Sequence, residues 1–188
     1  MSFAWNTYCR ARLPEHTAEP EYGGYVEDLL AMPELQGLAA IPHHIPTTLL
    51  THVCCVSYAA YCLCKRYGGD PKIAARGGLL HDLYYYDWHD FSDKSHRWHG
   101  VLHPGRALKN ARALLGEVDK RTADCIHRHM FPFTPFPPIY RESIAVSLAD
   151  KICSNYDVLI ARLPSVRRRF ERDTGLTFNA EEGTQACT

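Results

Sequence analysis

Histidine and aspartate recur at five separated places in this sequence, each among apolar neighbours. Burying imidazoles and carboxylates in an apolar core is unfavourable unless they are paired, hydrogen-bonded or bound to a metal. Any one of them alone is typical of a hydrogen-bonded core residue or a helix cap, whereas a shared metal would satisfy all of them at once. The pattern therefore predicts a metal centre with imidazole and carboxylate ligands. Its candidate ligands are His52, His81, Asp82, His103, His129 and Asp150.

The ligand types limit the choice of metal. Imidazole and carboxylate together suit divalent iron, manganese, zinc or cobalt, and the sequence does not distinguish among these four. The cysteines add no thiolate pair of the kind that holds structural zinc, because Cys54-Cys55 and Cys62-Leu63-Cys64 lack the two-residue spacer. No secretory signal precedes them, so we expect reduced thiols that pack in the core.

The elements that must carry the candidate ligands are predicted to be helices. A helix over 48–67, apolar on nearly all sides, carries His52 and ends at Gly68-Gly69. A second helix begins at Asp70-Pro71 and runs to about residue 83, and its paired glycines would let a neighbouring helix approach closely. Further helices are predicted over 25–31, 104–115, 119–130, 144–163 and 164–174. Because no segment has a sustained period-two pattern, the chain is predicted to be all-α, with about six to eight helices.

A chain of 188 residues fits one domain. We therefore predict a single domain over residues 1–188, with its core at about 47–163. The first 23 residues contain Pro14, Pro20 and Gly23-Gly24, and they predict an extended arm. Residues 84–102 predict a long loop, and residues 164–188 a C-terminal helix followed by a frayed tail.

Composition excludes several classes of protein. With 46% hydrophobic and 22% charged residues, the chain is an ordinary globular one. Lys plus Arg and Asp plus Glu both number 21, so no net field would gather nucleic acid or an anionic membrane. The longest apolar stretch is well short of the roughly 20 residues of a membrane span, and with no secretory signal we expect a cytoplasmic protein.

In their order, the candidate ligands and their surroundings resemble the HD-domain superfamily of metal-dependent phosphohydrolases, over about residues 47–163. The segments that carry the resemblance are THVCCVSYAAY, GGLLHDLYYYD, HGVLHPGRALKNA, IHRHMF and AVSLADKICS. It implies an HD-domain helical bundle. It also implies that a first metal is held by His52, His81, Asp82 and Asp150. His103 and His129 would hold a second metal, with Asp82 bridging both ions.

His127 competes with His129 for the second metal. Residues two apart on a helix point about 200° away from each other, so one of the two histidines can enter the site. The resemblance places a histidine three residues after an aliphatic residue. Here that residue is Ile126, which selects His129.

The implied function is hydrolysis of a phosphomonoester or phosphodiester of a nucleotide or another small metabolite. Two divalent metal ions would supply an activated hydroxide and neutralise phosphate oxygens. Asp82 would be catalytic through both ions, and Lys151 would be catalytic by stabilising charge on the phosphoryl group, unless it is an exposed lysine. The expected partner is a small phosphorylated substrate. Its candidate contacts are Tyr86, Asp87, His99, Arg106 and Arg128.

Two other functions remain open at the level of sequence. Some HD-domain proteins are di-iron oxygenases with the same six ligands, and a non-catalytic metal- or nucleotide-binding module would be a third class. The chain differs from the HD-GYP cyclic-dinucleotide phosphodiesterases at two points. It has His127-Arg128-His129 where they have two adjacent histidines, and no Gly-Tyr-Pro follows. Cyclic di-GMP is therefore not the expected substrate. Aromatic residues at 84–88, 98 and 131–136 either wall a pocket for an organic group or serve packing.

Overall fold

A computed structural model describes residues 2–13, 15, 18–43, 47–90, 92 and 98–177. Within these ranges the chain folds into nine α-helices and one turn of 3-10 helix, with no β-strand, which confirms the all-α prediction. The tail that was expected to fray lies outside the described residues. The helices are α1 Phe3–Ala11, α2 Pro20–Leu30, α3 Pro33–Gln36, α4 Leu49–Tyr67, α5 Pro71–Leu80, α6 His99–Leu115, α7 Lys120–Arg128, α8 Arg141–Arg162 and α9 Pro164–Thr174.

Helix α4 forms the centre of the core. Thr48 caps its start by accepting a hydrogen bond from Thr51 N, and Gly68 ends it with a φ of 91°. Almost every side chain of α4 is buried, because α1, α5 and α8 pack around it. The predicted buried helix is therefore confirmed. None of the described helices combines the length and the apolar character that crossing a membrane requires.

Close contacts at two glycines fix α5 against its neighbours. A Cβ atom on Gly78 would lie 2.5 Å from the Cα of Ser57 on α4, and one on Gly77 would lie 2.7 Å from the Cβ of Cys125 on α7. Only glycine permits such an approach. The predicted close packing at these glycines is confirmed, and it sets the position of the residues that directly follow α5.

The predicted extended arm at residues 1–23 is wrong. Ser2 caps α1, whose Trp5 and Tyr8 are buried against the core, and Tyr8 Oη donates a 2.6 Å hydrogen bond to Asp157 on α8. Pro20 occupies the first turn of α2, where a missing N–H costs nothing. Pro20 therefore begins a helix instead of preventing one.

Helix α6 also begins earlier than the sequence suggested. It starts at His99, five residues before Pro104, which then lies inside the helix. Because proline has no N–H, α6 lacks the hydrogen bond that residue 104 would otherwise donate to the carbonyl of Gly100. The cysteines of the described residues form no disulfide, and all but Cys62 are buried, as expected for core thiols.

Candidate metal centre and its cavity

Five parts of the fold deliver the six predicted ligands to one place. All six side chains are buried, with exposed fractions between 0% and 9%. The first turn of α4 carries His52, the residues directly after α5 are His81 and Asp82, and α6 carries His103. His129 ends α7, and Asp150 lies in the middle of α8.

Four of these side chains form a first group around two carboxylate oxygens. His52 Nε2 lies 3.3 Å from Asp150 Oδ1 and 3.9 Å from Asp82 Oδ2. His81 Nε2 lies 3.6 Å from Asp82 Oδ2 and 3.9 Å from Asp150 Oδ1. Two imidazole nitrogens and two carboxylate oxygens therefore face one another across a space of a few ångströms.

Asp82 also belongs to a second group. Its other oxygen, Oδ1, lies 3.2 Å from His103 Nε2 and 3.5 Å from His129 Nε2, and these two nitrogens are 2.8 Å apart. The two oxygens of one carboxylate thus face two different sets of imidazoles. This is the arrangement that a bridging ligand requires.

Backbone carbonyls fix the orientation of three of the imidazoles. His81 Nδ1 lies 2.7 Å from Gly78 O, His103 Nδ1 lies 2.8 Å from His99 O, and His129 Nδ1 lies 2.8 Å from Ile126 O. A carbonyl oxygen only accepts hydrogen bonds, so each Nδ1 carries the proton. In the neutral ring Nε2 then carries the lone pair, and in all three residues it lies within 3.6 Å of an oxygen of Asp82. Second partners of this kind are typical of metal-binding histidines.

The electrostatics of the cluster fit a cation. Burial opposes the charge on Asp82, yet the facing imidazoles hold the pKa of its carboxyl well below the usual range. Burial, together with the neighbouring His81, lowers the pKa of His129 to about 3. His81 Nε2 and Asp82 Oδ1 are buried and have no hydrogen-bond partner among the described residues. Imidazole nitrogens and ionised carboxylates that converge in this way are the donor set of a divalent metal.

The spacing of the donor atoms also fits a metal ion. A nitrogen ligand stands about 2.0–2.1 Å from a divalent zinc ion, so two nitrogens 2.8 Å apart can both reach a single ion. Several sets of three side chains place their ligand atoms within 4.8 Å of one another. They include His52, His81 and Asp150 in one set, and His81, Asp82 and His129 in another.

Lys151 follows Asp150 on α8, but its ammonium does not extend into open space. Nζ donates hydrogen bonds to His129 O at 2.7 Å, to Ser147 O at 3.1 Å and to Ser147 Oγ at 3.0 Å. It lies 3.8 Å from Asp150 Oδ2. The three N–H donors of the ammonium therefore already have three acceptors.

His43, which no motif in the sequence indicates, also belongs to the cluster. Its ring stacks on His52 at 4.1 Å, and its Nδ1 lies 3.3 Å from Tyr84 Oη. An antiparallel bridge holds it there, since His43 N donates to Thr47 O at 2.9 Å. No helical or strand periodicity marks this segment, so its approach to α4 had no signal in the sequence beyond a histidine near the helix start.

A cavity of about 550 Å³ adjoins the cluster. Its walls include Asp82, His103, His129 and Asp150, whereas His52 and His81 lie behind them and are fully buried. Cavities of this volume are typical of small-molecule sites. Four of the six predicted ligands are therefore within reach of a small molecule in the cavity.

Of the five predicted substrate contacts, His99 lines this cavity. Its ring lies nearly parallel to the ring of Trp88, at 5.3 Å and 11°, and to the ring of His103, at 4.5 Å and 17°. Tyr86 stands behind it, with Oη 3.0 Å from His99 Nδ1.

The other three predicted contacts are engaged elsewhere and do not line the cavity. Asp87 pairs with His89, and Arg106 lies over the ring of Tyr86. Arg128 is held within the chain, and its role as a substrate contact stays a prediction. Its Nε forms a 2.8 Å ion pair with Asp124 and its Nη1 donates to Pro137 O, so it ties α7 to the segment before α8.

The fold and the site together define an all-helical protein with a buried histidine and aspartate cluster suited to divalent metal. The family model of the HD domain matches residues 49–155, more than half of the chain. The chain therefore belongs to the HD-domain family, whose members are mostly metal-dependent hydrolases. No curated protein and no solved structure matches it.

Proposed function

We propose that the protein is a metal-dependent phosphohydrolase that cleaves a phosphomonoester or phosphodiester of a nucleotide or another small metabolite. The observation that carries this proposal is the placement of Asp82, whose two oxygens face two separate groups of imidazoles beside a cavity. Dinuclear sites bridged by one carboxylate suit phosphate chemistry, since both the attacking and the leaving oxygen need stabilisation.

The ligands divide into two sets in this proposal. His52, His81, Asp82 Oδ2 and Asp150 would hold one divalent ion, and Asp82 Oδ1, His103 and His129 would hold the other. Iron, manganese, zinc and cobalt all suit these donors. When bound, the two ions would activate a water molecule and neutralise charge on the phosphoryl oxygens.

The chain's own residues prepare the site for this chemistry. The carbonyls of Gly78, His99 and Ile126 keep three imidazoles in the tautomer that offers Nε2. Burial of all six ligands keeps bulk water away and strengthens the electrostatic interactions within the site. Lys151 acts in this proposal as a positioning residue for His129, because its ammonium donors are directed at carbonyl and hydroxyl oxygens.

Elemental analysis of protein purified without chelator, followed by a panel of phosphomonoesters and phosphodiesters with and without added Mn²⁺, tests the proposal. Close to two metals per chain with phosphate release is the expected result. Asp82→Ala should lose both metals and the activity. Asp28→Ala, which removes a carboxylate on α2 away from the cavity, should keep both.

Two results would overturn the proposal. Two irons per chain with oxygen consumption and no phosphate release would identify an oxygenase. Binding of phosphate compounds without turnover, at full metal content, would identify a binding module.

A further inference from the structure

The cavity continues from the metal centre along one face of α8. Lys151, Ser154, Asn155 and Val158 line it in addition to Asp150, so the lining residues recur every three or four positions on this helix. Val158 follows Asp150 by eight positions, which at a rise of about 1.5 Å per residue corresponds to roughly 12 Å along the helix. A substrate bound at the ligands therefore has room for a substantial organic group beside α8.

Four large apolar side chains line the cavity. Val158 lines one wall, Met130 and Phe133 come from the segment after α7, and Trp88 comes from the segment after α5. The ring of Phe133 is 77% exposed although it lines the cavity, so a ligand there would cover apolar surface that is now open to water. Such burial favours binding.

Two polar side chains of α8 in this lining already have partners within the chain. Ser154 Oγ donates to Asp150 Oδ1 at 3.3 Å, and Asn155 Nδ2 donates to Lys151 O at 2.7 Å. Among the described lining residues, Lys151 is the one lysine or arginine, and its ammonium is directed at three oxygen atoms of the chain. The described walls therefore carry a single ammonium, and oxygen atoms of the chain already accept its hydrogen bonds.

We propose that the substrate carries a single phosphoryl group on an apolar or aromatic organic group. The phosphoryl group lies at the Asp82 and Asp150 end, and the organic group lies along α8 between Val158 and Phe133. This assignment rests on the proposed phosphohydrolase function and narrows it to phosphomonoesters. Nucleoside triphosphates and other polyphosphates are then poor ligands.

Binding of two phosphonates to the Mn²⁺-loaded protein, measured by isothermal titration calorimetry, tests this substrate class. Methylphosphonate presents the phosphoryl oxygens alone, and benzylphosphonate adds an aromatic ring; hydrolases of phosphate esters do not cleave their carbon–phosphorus bond. We expect benzylphosphonate to bind at least tenfold more tightly, because each buried CH₂ group contributes about fourfold in affinity.

Variants in the segment after α7 test which residues cause the tighter binding of benzylphosphonate. Phe133→Ala should remove most of the advantage of benzylphosphonate and leave the affinity for methylphosphonate unchanged. Because the side chain of Phe133 is largely exposed, its truncation does not threaten folding. Phe136→Ala is the matched control, since Phe136 is 52% exposed in the same segment but does not line the cavity.

The outcomes separate this inference from the function on which it rests. Equal affinities for the two phosphonates, or tighter binding of pyrophosphate than of benzylphosphonate, would overturn the substrate class while leaving a phosphoryl site in place. Failure of both phosphonates to bind the metal-loaded protein would overturn the phosphohydrolase function and the substrate class together. A tenfold preference that Phe133→Ala removes would support both.

Discussion

The ammonium of Lys151 donates a 2.7 Å hydrogen bond to the backbone carbonyl of His129. That carbonyl lies at the end of α7, where it has no later helical N–H to accept from. Ser147 Oγ donates a second hydrogen bond to the same oxygen, also at 2.7 Å. Helix α8 therefore contributes Asp150 to the cluster and also holds the histidine of the opposite group in place.

Replacement of Lys151 should weaken metal binding more than it weakens substrate binding. We expect Lys151→Met to weaken binding of the second ion by about 10- to 100-fold, the usual effect of removing a residue that orients a ligand. Binding of the first ion should not change. Calorimetric titration with Mn²⁺ measures both affinities, and excess metal should restore most of the activity.

Lys72→Met provides the control for this experiment, since Lys72 is exposed on α5 away from the cavity. If Lys151→Met instead leaves both metal affinities unchanged and raises KM for the substrate at saturating metal, the lysine contacts the phosphoryl group. That result would restore the catalytic role that the sequence predicted for it.

Replacement of the two histidines near the end of α7 should have very different effects on metal content and activity. His129 is buried beside Asp82, whereas His127 is exposed and lies near the ring of Phe136. We expect His129→Ala to reduce the metal content from two ions toward one and to abolish most of the activity. His127→Ala should retain two ions and near-normal activity. Equal losses in the two variants, measured by elemental analysis and phosphate release, would contradict the assignment.

Removal of metal should destabilise the protein. Because the cluster directs lone pairs and carboxylates at one another, metal binding adds to the stability of the folded state. An ion present at one hundred times its Kd stabilises by about 2.7 kcal/mol. For a chain of this size that corresponds to a rise in Tm of roughly 5–10 °C. Thermal denaturation with chelator and with Mn²⁺ measures the difference, and an unchanged Tm would argue against a metal in the cluster.

Much of the fold could be predicted because its signals are local. The cap at Thr48, the glycine that ends α4 and the proline that begins α5 are all readable along the chain, and these helices form as expected. The six candidate ligands could be chosen for a similar reason, since polar residues in apolar surroundings stand out. That residues 1–188 form a single domain stays a prediction.

The features that could not be predicted from the sequence depend on contacts between distant segments. Pro14 and Pro20 favoured the prediction of an extended arm, so helix α1 was not predicted. Burial of Trp5 against the rest of the fold stabilises this helix. His43 reaches the cluster through a bridge between segments that have no periodic pattern. The direction of the Lys151 side chain depends on where α7 ends in space, which spacing along α8 cannot reveal.

The glycine pair of α5 links packing to the site and gives the last prediction. In Gly78→Ala the new methyl group would lie 2.5 Å from the Cα of Ser57, so α4 and α5 must separate. We expect a loss of at least about 2 kcal/mol in the free energy of unfolding, measured by urea denaturation, because overpacking against backbone is poorly relieved. Gly105→Ala is the control. Gly105 lies in α6 with open space around it, and alanine there should stabilise by about 0.5–1 kcal/mol.

The same substitution should weaken metal binding. His81 follows α5 directly, and its Nδ1 is bonded to the carbonyl of Gly78 itself, so a displaced α5 moves a ligand of the first group. Metal affinity of folded Gly78→Ala should therefore fall while that of Gly105→Ala stays normal. If Gly78→Ala keeps both its stability and its metal affinity, the close contact between α4 and α5 does not position His81.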